Sequence, residues 1–214
     1  MPKDDILTLL PQRGAHVITY NRKLESREAI AAQVLEETGA TLVPPFDHPL
    51  TMAGQGTAAL ELLELIPQLE ALIAPIGGGG LLAGCATIAK ALNPEIRIFG
   101  AEPEWANDTF LSLEAGRRVE VQVRDTIADG LRSPSPGELT FPVLERHVEQ
   151  VLLVSEDEMR STVKFLLMRM KLLVEPSGAA GAAAVLHHKL PPAIRSIGVI
   201  LSGGNLDFEQ LRRY

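Results

Sequence analysis

Short runs of apolar residues alternate along this chain with longer segments in which apolar positions recur at helical spacing. Short apolar runs are typical of buried strands, whereas apolar positions three to four residues apart are typical of helices. This pattern predicts strands at residues 15–20, 40–43, 71–76, 96–101, 151–154 and 196–201. It predicts helices at residues 26–38, 54–65, 81–92, 108–115, 141–146, 156–173 and 177–188.

Strands that alternate with helices indicate an α/β fold in which a mostly parallel sheet is flanked by helices. The composition shifts at Pro44-Pro45, which is therefore the best candidate for a domain boundary. Met168 and Met170 lie in a leucine-rich predicted helix and are expected to fill the core. Cys85 lies on an apolar predicted helix, so we interpret it as a core residue and not as a nucleophile.

Composition and charge narrow the class of protein. The chain has 214 residues, of which 46% are apolar, and this excludes a wholly disordered chain. The net charge is −7 and no basic run exceeds two residues, which disfavours a nucleic-acid-binding protein. The longest apolar run, residues 71–89, is interrupted by five glycines and Pro75, so it does not predict a membrane span.

Cysteine content and the first residues bear on the compartment. A single cysteine excludes an internal disulfide and a zinc site built from cysteines. The first residues, Met-Pro-Lys-Asp-Asp, contain no apolar secretory segment. We therefore expect a cytoplasmic protein.

Four consecutive glycines, Gly77 to Gly80, follow a predicted strand and open a predicted helix. Glycine allows the backbone to approach a ligand closely, and the N-terminus of a helix attracts negative charge. A flexible turn would explain the position, but four glycines are costly in chain entropy. The pattern therefore predicts a site for an anionic group, most simply a phosphate.

The segment Leu-Ser-Gly-Gly-Asn at residues 201–205 follows the last predicted strand. Ligands of parallel sheets bind at the carboxyl ends of the strands, so both glycine loops are expected at one edge of the sheet. Ser202 would offer a neutral hydroxyl there, although the loop could also be a simple turn.

Three further segments contain polar residues that could form a site. Glu102 and Asp108 flank a loop after a strand and suit Mg²⁺ or Ca²⁺, but a solvated acidic loop is an equally good interpretation. Residues 125–131 lie in a long loop, and such loops are often functional. Glu175 opens a helix and could be either a cap or a site residue.

The glycines also match a second pattern. Gly78, Gly80 and Ala83 fit the looser dinucleotide fingerprint, and Glu102 follows a strand about 20 residues later. This alternative predicts a nicotinamide-binding domain. The fingerprint requires fewer glycines than the loop contains, and it has no place for the Ser-Gly-Gly-Asn loop.

Taken in order, these motifs resemble those of the threonine/serine dehydratases and serine racemases, which are fold-type II pyridoxal-phosphate enzymes. The motifs are Gly-Gly-Gly-Gly-Leu at 77–81, Glu-Pro-Glu at 102–104, Asp-Thr-Ile-Ala-Asp-Gly-Leu at 125–131, Glu-Pro-Ser-Gly-Ala at 175–179 and Leu-Ser-Gly-Gly-Asn at 201–205. Pro-Pro-Phe-Asp-His-Pro at 44–49 and Ala-Gly-Gln-Gly-Thr at 53–57 extend the likeness. The resemblance implies an incomplete fold-type II architecture, with residues 1–45 a remnant of the small domain and 46–214 the large cofactor-binding domain without its N-terminal part.

The resemblance also implies roles for single residues. Gly77, Gly78, Gly79 and Gly80, with the Leu81 amide, would hold the phosphate of pyridoxal phosphate. Ser202 would hydrogen-bond the pyridine nitrogen, and Gly130, Glu175 and Gly203 would lie beside the cofactor. Glu102, the Ala106 carbonyl and Asp108 would match the family's divalent-cation site, for Mg²⁺ or Ca²⁺.

Two family motifs are missing. The segment Ser-Phe-Lys-x-Arg-Gly-Ala, which carries the Schiff-base lysine, does not occur in the sequence, and neither does the Ser-Ser-Gly-Asn-His loop. The racemases' second base, a serine of that loop, is absent with it. We expect a truncated chain, about 100 residues too short at one end for the two-domain enzyme that its motifs imply.

The resulting interpretation is a threonine/serine dehydratase-like ammonia-lyase that binds a small amino-acid substrate and is inactive alone. The parent reaction converts L-threonine or L-serine to a 2-oxo acid and ammonia. The alternatives are a serine racemase-like activity, a non-catalytic subunit and the nicotinamide-binding domain. The expected partner is a second copy in a homodimer, a full-length homologue or a complementary fragment.

Overall fold

The computed structural model describes residues 10–21, 24–206, 208–212 and 214. The chain divides into two compact units, Met1–Pro44 and Pro45–Tyr214. In the described part of the first unit, helix α1 spans Arg27–Thr38. Ser26 caps it by accepting a hydrogen bond from the Ala29 N–H, and Gly39 ends it with a φ of 66°. The assignment of this unit to a small domain stays a prediction.

The two strands predicted in the first unit, at residues 15–20 and 40–43, are wrong. Both segments are irregular in the structure. Their apolar residues favour extended backbone locally, but a strand also needs a neighbour to pair its N–H and C=O groups. The described residues of this unit contain no such neighbour.

A parallel sheet of four strands forms the centre of the second unit. Strands β1 (Ala71–Pro75), β2 (Arg97–Pro103), β3 (Val148–Val154) and β4 (Ile197–Val199) are arranged in the order β3-β2-β1-β4. In the register, Ala71 pairs with Arg97 and with Ile197. This sheet confirms the predicted α/β class, with β3 longer and β4 shorter than the apolar runs suggested.

The second unit has three layers because side chains alternate along each strand. Leu72, Ala74 and Ile98 belong to the core on one face of the sheet. Ile73 and Phe99 belong to the core on the other face. Strand β1 is apolar and buried over its whole length because both faces of the sheet are covered.

Helices cover both faces, and they provide the segments between the strands. They are α2 (Pro49–Leu65), α3 (Gly80–Leu92), α4 (Asp108–Ala115), α5 (Thr140–His147), α6 (Glu156–Phe165), α7 (Pro176–Leu186) and α8 (Phe208–Leu211), with a 3₁₀ turn at Asp129–Leu131 and a π-helix at Leu166–Met170. Helices α2 and α3 pack closely, since a Cβ on Gly84 would lie 2.1 Å from the Met52 carbonyl oxygen. None of the helices within the described ranges is long and apolar enough to cross a bilayer.

Two helix predictions need correction. Helix α2 begins at Pro49 and not at residue 54, because proline suits the first helical turn and the His48 side chain caps it. The α-helix predicted at residues 156–173 ends at Phe165. A π-helix follows at Leu166–Met170, and Lys171 ends it with a φ of 60°. Met168 and Met170 are therefore not core residues, and they are 58% and 56% exposed.

Candidate functional site

The glycine loop joins β1 to α3 at the carboxyl edge of the sheet. Gly79 has a φ of 92° and precedes α3 without any side-chain cap. The first backbone bond of the helix runs from the Ala83 N–H to the Gly79 carbonyl. No described residue accepts a hydrogen bond from the amides of residues 77–82. These open N–H groups, together with the helix dipole, form a site suited to an anion.

Close packing explains why this loop needs glycine. A Cβ on Gly78 would lie 2.3 Å from the Phe46 ring. A Cβ on Gly80 would lie 2.6 Å from Gln55 Oε1. Larger residues would force the loop away from Phe46 and from α2, and its amides would move with it.

A cavity of about 240 Å³ opens at this loop. It brings together most of the predicted cofactor residues, namely the four glycines, Leu81, Gly130 and Ser202. The remaining lining residues are Pro45, Phe46, Gln55, Pro75 and Leu131. Gln55 Oε1 is buried without a hydrogen-bond partner and lies against Gly80, whereas its Nε2 donates to the Pro45 carbonyl at 3.3 Å. A ligand N–H or hydroxyl would therefore satisfy Oε1.

Glu175 and Gly203 lie next to each other and outside this lining. The Glu175 N–H donates to the Gly203 carbonyl at 3.0 Å, and the Asn205 N–H donates to Glu175 Oε2 at 3.0 Å. Burial raises the pKa of the Glu175 carboxyl. This carboxylate therefore supports the Ser202 loop, and its predicted place beside the cofactor ring stays a prediction.

Two acceptors that the sequence did not single out hold the loop containing Gly130. Glu156 accepts hydrogen bonds from Thr126 Oγ1 at 2.5 Å and from the Ile127 N–H at 2.9 Å. Ser177 Oγ accepts one from the Gly130 N–H at 3.0 Å. Both residues had signals in the sequence, since Glu156 follows a helix-capping serine and Ser177 lies in the 175–179 motif.

The predicted cation site is a pair of buried carboxylates at the end of β2. Glu102 accepts hydrogen bonds from the Thr109 and Phe110 N–H groups, at 3.0 and 2.8 Å. Both oxygens of Asp108 are buried without a partner. Burial raises the pKa of Glu102, and burial together with the charge of Glu102 raises the pKa of Asp108. Two carboxylates that would otherwise repel fit a bound cation.

The remaining donors for a cation would be main-chain oxygens or water. In the described ranges, no group of three or more His, Cys, Asp and Glu side chains could hold a metal ion. Ala106 lies buried between the two carboxylates in sequence, and its N–H donates to the Pro103 carbonyl at 3.0 Å. An oxygen-only set of this kind suits a hard cation such as Mg²⁺ or Ca²⁺.

Lysine is absent from the described lining of the cavity. Lys90 Nζ donates to the Pro94 carbonyl, and Lys171 Nζ donates to the Met168 carbonyl. Lys3 and Lys23 lie outside the described residues. Cys85 is fully buried, as expected of a core residue, and burial raises the pKa of its thiol to about 11.

Comparison with known proteins identifies the family. The model of the pyridoxal-phosphate dependent enzymes matches residues 4–203. The chain belongs to this family. The family favours pyridoxal phosphate over the nicotinamide alternative, and the open amides of the glycine loop fit its phosphate.

Three relatives define the neighbourhood within the family. The chain is 46% identical to an L-threo-3-hydroxyaspartate ammonia-lyase of Saccharomyces cerevisiae, over 92% of this chain and 60% of the relative. It is 42% identical to an L-threonine ammonia-lyase of Geobacter sulfurreducens, over 92% of this chain and 49% of the relative. The structure of maize serine racemase matches with a TM-score of 0.90 and 41% identity, over 99% of this chain and 65% of that one.

These coverages show that the chain spans about half to two thirds of the length of the relatives it matches. The fold-type II architecture is confirmed, since the parallel sheet and its helices superpose on a fold-type II enzyme. The relatives include both ammonia-lyases and a racemase.

Proposed function

We propose that the chain binds pyridoxal phosphate as part of an ammonia-lyase that deaminates L-threonine or L-serine to a 2-oxo acid and ammonia. The observation that carries the proposal is the cavity in which the open glycine loop, Gly130 and Ser202 meet. When bound, the cofactor withdraws electrons from the Cα of an amino-acid substrate. The residues of this chain bind and orient it.

Each group in the cavity has a distinct task. The N–H groups of residues 77–81 and the dipole of α3 bind the phosphate. The Ser202 hydroxyl orients the pyridine nitrogen without adding charge, which moderates electron withdrawal and favours loss of a β-hydroxyl. Gly130 and Glu175 border the ring. A larger side chain in place of Gly130 would meet Ser177.

The 214 residues alone are expected to catalyse little or no deamination. The family's Ser-Phe-Lys-x-Arg-Gly-Ala segment does not occur in the sequence, so the chain has no lysine at that place to take the α-proton. The proposed partner is a full-length homologue or a complementary fragment that carries this segment. A homodimer and a cytoplasmic location are also part of the proposal.

We assign Glu102, the Ala106 carbonyl and Asp108 to a divalent cation, Mg²⁺ or Ca²⁺. The buried and unpartnered oxygens of Asp108 support this assignment. The cation would act on stability, because it neutralises two carboxylates that are buried in the same place.

Binding of pyridoxal phosphate to the purified chain tests the proposal. We expect saturable binding that inorganic phosphate competes away, without the absorbance band of a cofactor bound to lysine. Little or no 2-oxo acid should form from L-threonine, L-serine or threo-3-hydroxyaspartate. Absence of saturable binding would refute the cofactor site, and turnover by the chain alone would refute its inactivity.

The alternative of a racemase-like or non-catalytic subunit rests on the likeness to maize serine racemase and on the missing lysine segment. Mixing the chain with a full-length homologue distinguishes the three functions. If the chain contributes lyase activity, the mixture forms more 2-oxo acid than the homologue alone. If it contributes racemase activity, the mixture forms more D-serine. A non-catalytic subunit changes the homologue's rate without forming a product of its own.

A further inference from the structure

The Gly78 carbonyl is held on one side of the glycine loop by residues at the start of α5. Thr140 Oγ1 donates to it at 2.7 Å, and the Gly137 N–H donates to it at 3.1 Å. Thr140 is fully buried. A carbonyl with two donors is fixed in direction, and its peptide plane is fixed with it.

Fixing this peptide plane orients the next amide. In a trans peptide the C=O of one residue and the N–H of the next point in opposite directions. Since the Gly78 carbonyl points to α5, the Gly79 N–H points away from α5. The described lining of the cavity contains no residue of α5, so the open side of the loop is the side to which this N–H turns.

Asp47 in turn holds the start of α5. Its Oδ1 accepts hydrogen bonds from the Leu139 and Thr140 N–H groups at 2.7 and 3.3 Å, and its Oδ2 accepts one from the Glu138 N–H at 3.0 Å. Helix α5 has no side-chain cap at its N-cap residue, so this carboxylate from 92 residues away takes that place. A carboxylate that accepts several N–H groups at a helix start stabilises it by charge and by hydrogen bonding.

The backbone of Asp47 has a left-handed conformation, which aspartate adopts more readily than most other side chains. Its φ is 57°, in the left-handed region that non-glycine residues rarely occupy. The neighbouring Phe46 ring fills the space that a Cβ on Gly78 would need. The two residues therefore hold Gly78 from both sides, Phe46 by direct contact and Asp47 through α5.

We propose that Asp47 is a positioning residue for the phosphate site. By capping α5 it places Thr140 and Gly137 on the Gly78 carbonyl, and this turns the Gly79 N–H toward the cavity. The inference rests on the proposed function, in which these amides bind the phosphate of pyridoxal phosphate.

The test compares two ligands that differ only in the phosphate, pyridoxine phosphate and pyridoxine, neither of which can react with lysine. Isothermal titration of each gives a ratio of dissociation constants for every variant. Asp47→Ala should raise the dissociation constant of pyridoxine phosphate by about tenfold and change that of pyridoxine by no more than about twofold, because only the amide cradle is disturbed. Thr140→Val should act in the same direction, and Thr140→Ser should restore binding.

The control is Glu70→Ala. Glu70 Oε2 accepts a hydrogen bond from the Arg195 N–H at 2.7 Å, a carboxylate-to-backbone bond across 125 residues at the opposite edge of the sheet. It should leave the ratio unchanged even if it lowers the melting temperature. If Asp47→Ala weakens the binding of both ligands equally, the substitution acts through a general loss of stability, and the positioning role is overturned.

The remaining outcomes separate the two proposals. If the unmodified chain prefers pyridoxine phosphate and the Thr140→Val and Asp47→Ala variants keep that preference, the positioning role is overturned and the cofactor site stands. If the unmodified chain binds both ligands equally, the phosphate site is refuted together with the positioning role. Should Asp47→Ala fail to fold, the Thr140 pair decides alone.

Discussion

Two adjacent parallel strands of this sheet lead into the two proposed sites, which differ in chemical character. Strand β1 leads into the glycine loop, which offers uncharged main-chain N–H groups and attracts negative charge. Strand β2 carries Glu102 near its end, and Asp108 begins the helix that follows; their buried carboxylates attract positive charge. Both sites use the same edge of the sheet, where the strands' carboxyl ends leave space for ligands.

The difference lies in what makes each site possible. The glycine loop depends on the absence of side chains, so it tolerates no added atom where Phe46, Gln55 and Thr140 approach. The carboxylate pair depends on burial, because exposed acidic residues would repel weakly and need no ligand. Added side-chain atoms should therefore abolish binding at the glycine loop, whereas loss of a charge should abolish binding at the carboxylate pair.

The largest expected effect is that of Gly79→Ala. An added Cβ would lie 2.8 Å from Leu144 Cδ1 and from Thr140 Oγ1, at a φ of 92°. The loop must shift, and binding of pyridoxine phosphate should fall by about a hundredfold or more, since several charge-assisted bonds are lost together. Isothermal titration measures the loss.

Gly116→Ala is the matched control for this substitution. Gly116 also has a positive φ, of 60°, but nothing lies within 4 Å of an added Cβ. Both variants carry about 1–2 kcal/mol of left-handed strain, and only one crowds the loop. Equal binding by the two variants would show that the close packing of the loop does not control the site.

The second prediction concerns the carboxylate pair. A saturating concentration of Mg²⁺ or Ca²⁺ should raise the melting temperature of the chain by about 5–10 °C, as binding to the folded state alone would. Asp108→Asn should abolish this rise. Without a cation the variant should be at least as stable as the unmodified chain, because asparagine removes a carboxyl group whose ionisation is opposed by burial and by Glu102.

Asp157→Asn makes the same chemical change at a side chain that is 95% exposed and paired with Arg160. It should keep the full response to the cation. A melting temperature of the unmodified chain that is indifferent to both cations would contradict the assignment of this site.

The two sites also differ in how far the sequence predicted them. Four consecutive glycines after an apolar run have few structural explanations, so the residues alone predicted an anion site there, and the structure shows the open amides of that loop. Glu102 and Asp108 looked equally like a solvated loop, because burial depends on the helices around them and not on spacing. Only the family resemblance favoured a cation there before the structure placed both residues in the interior.

Tertiary context accounts for what the sequence missed. The alternation of strands and helices predicted the parallel sheet, because the apolar runs within β1, β2 and β3 are largely buried. It failed at residues 15–20 and 40–43, where pairing is lacking in the described part of the unit. Asp47 and Glu156 were missed as positioning residues because their partners lie 91–93 and 29–30 residues away, beyond any local pattern.

The smallest expected effect belongs to Ser202→Ala, which tests whether the cavity depends on its backbone more than on its side chains. Ser202 would contribute one hydrogen bond from a neutral and exposed hydroxyl, so the affinity for pyridoxine phosphate should fall by only about fivefold, or ~1 kcal/mol. Ser161→Ala removes another exposed hydroxyl, which contacts His187, and should change nothing. A loss from Ser202→Ala as large as that from Gly79→Ala would reverse the order, and the hydroxyl would then outweigh the amides of the loop.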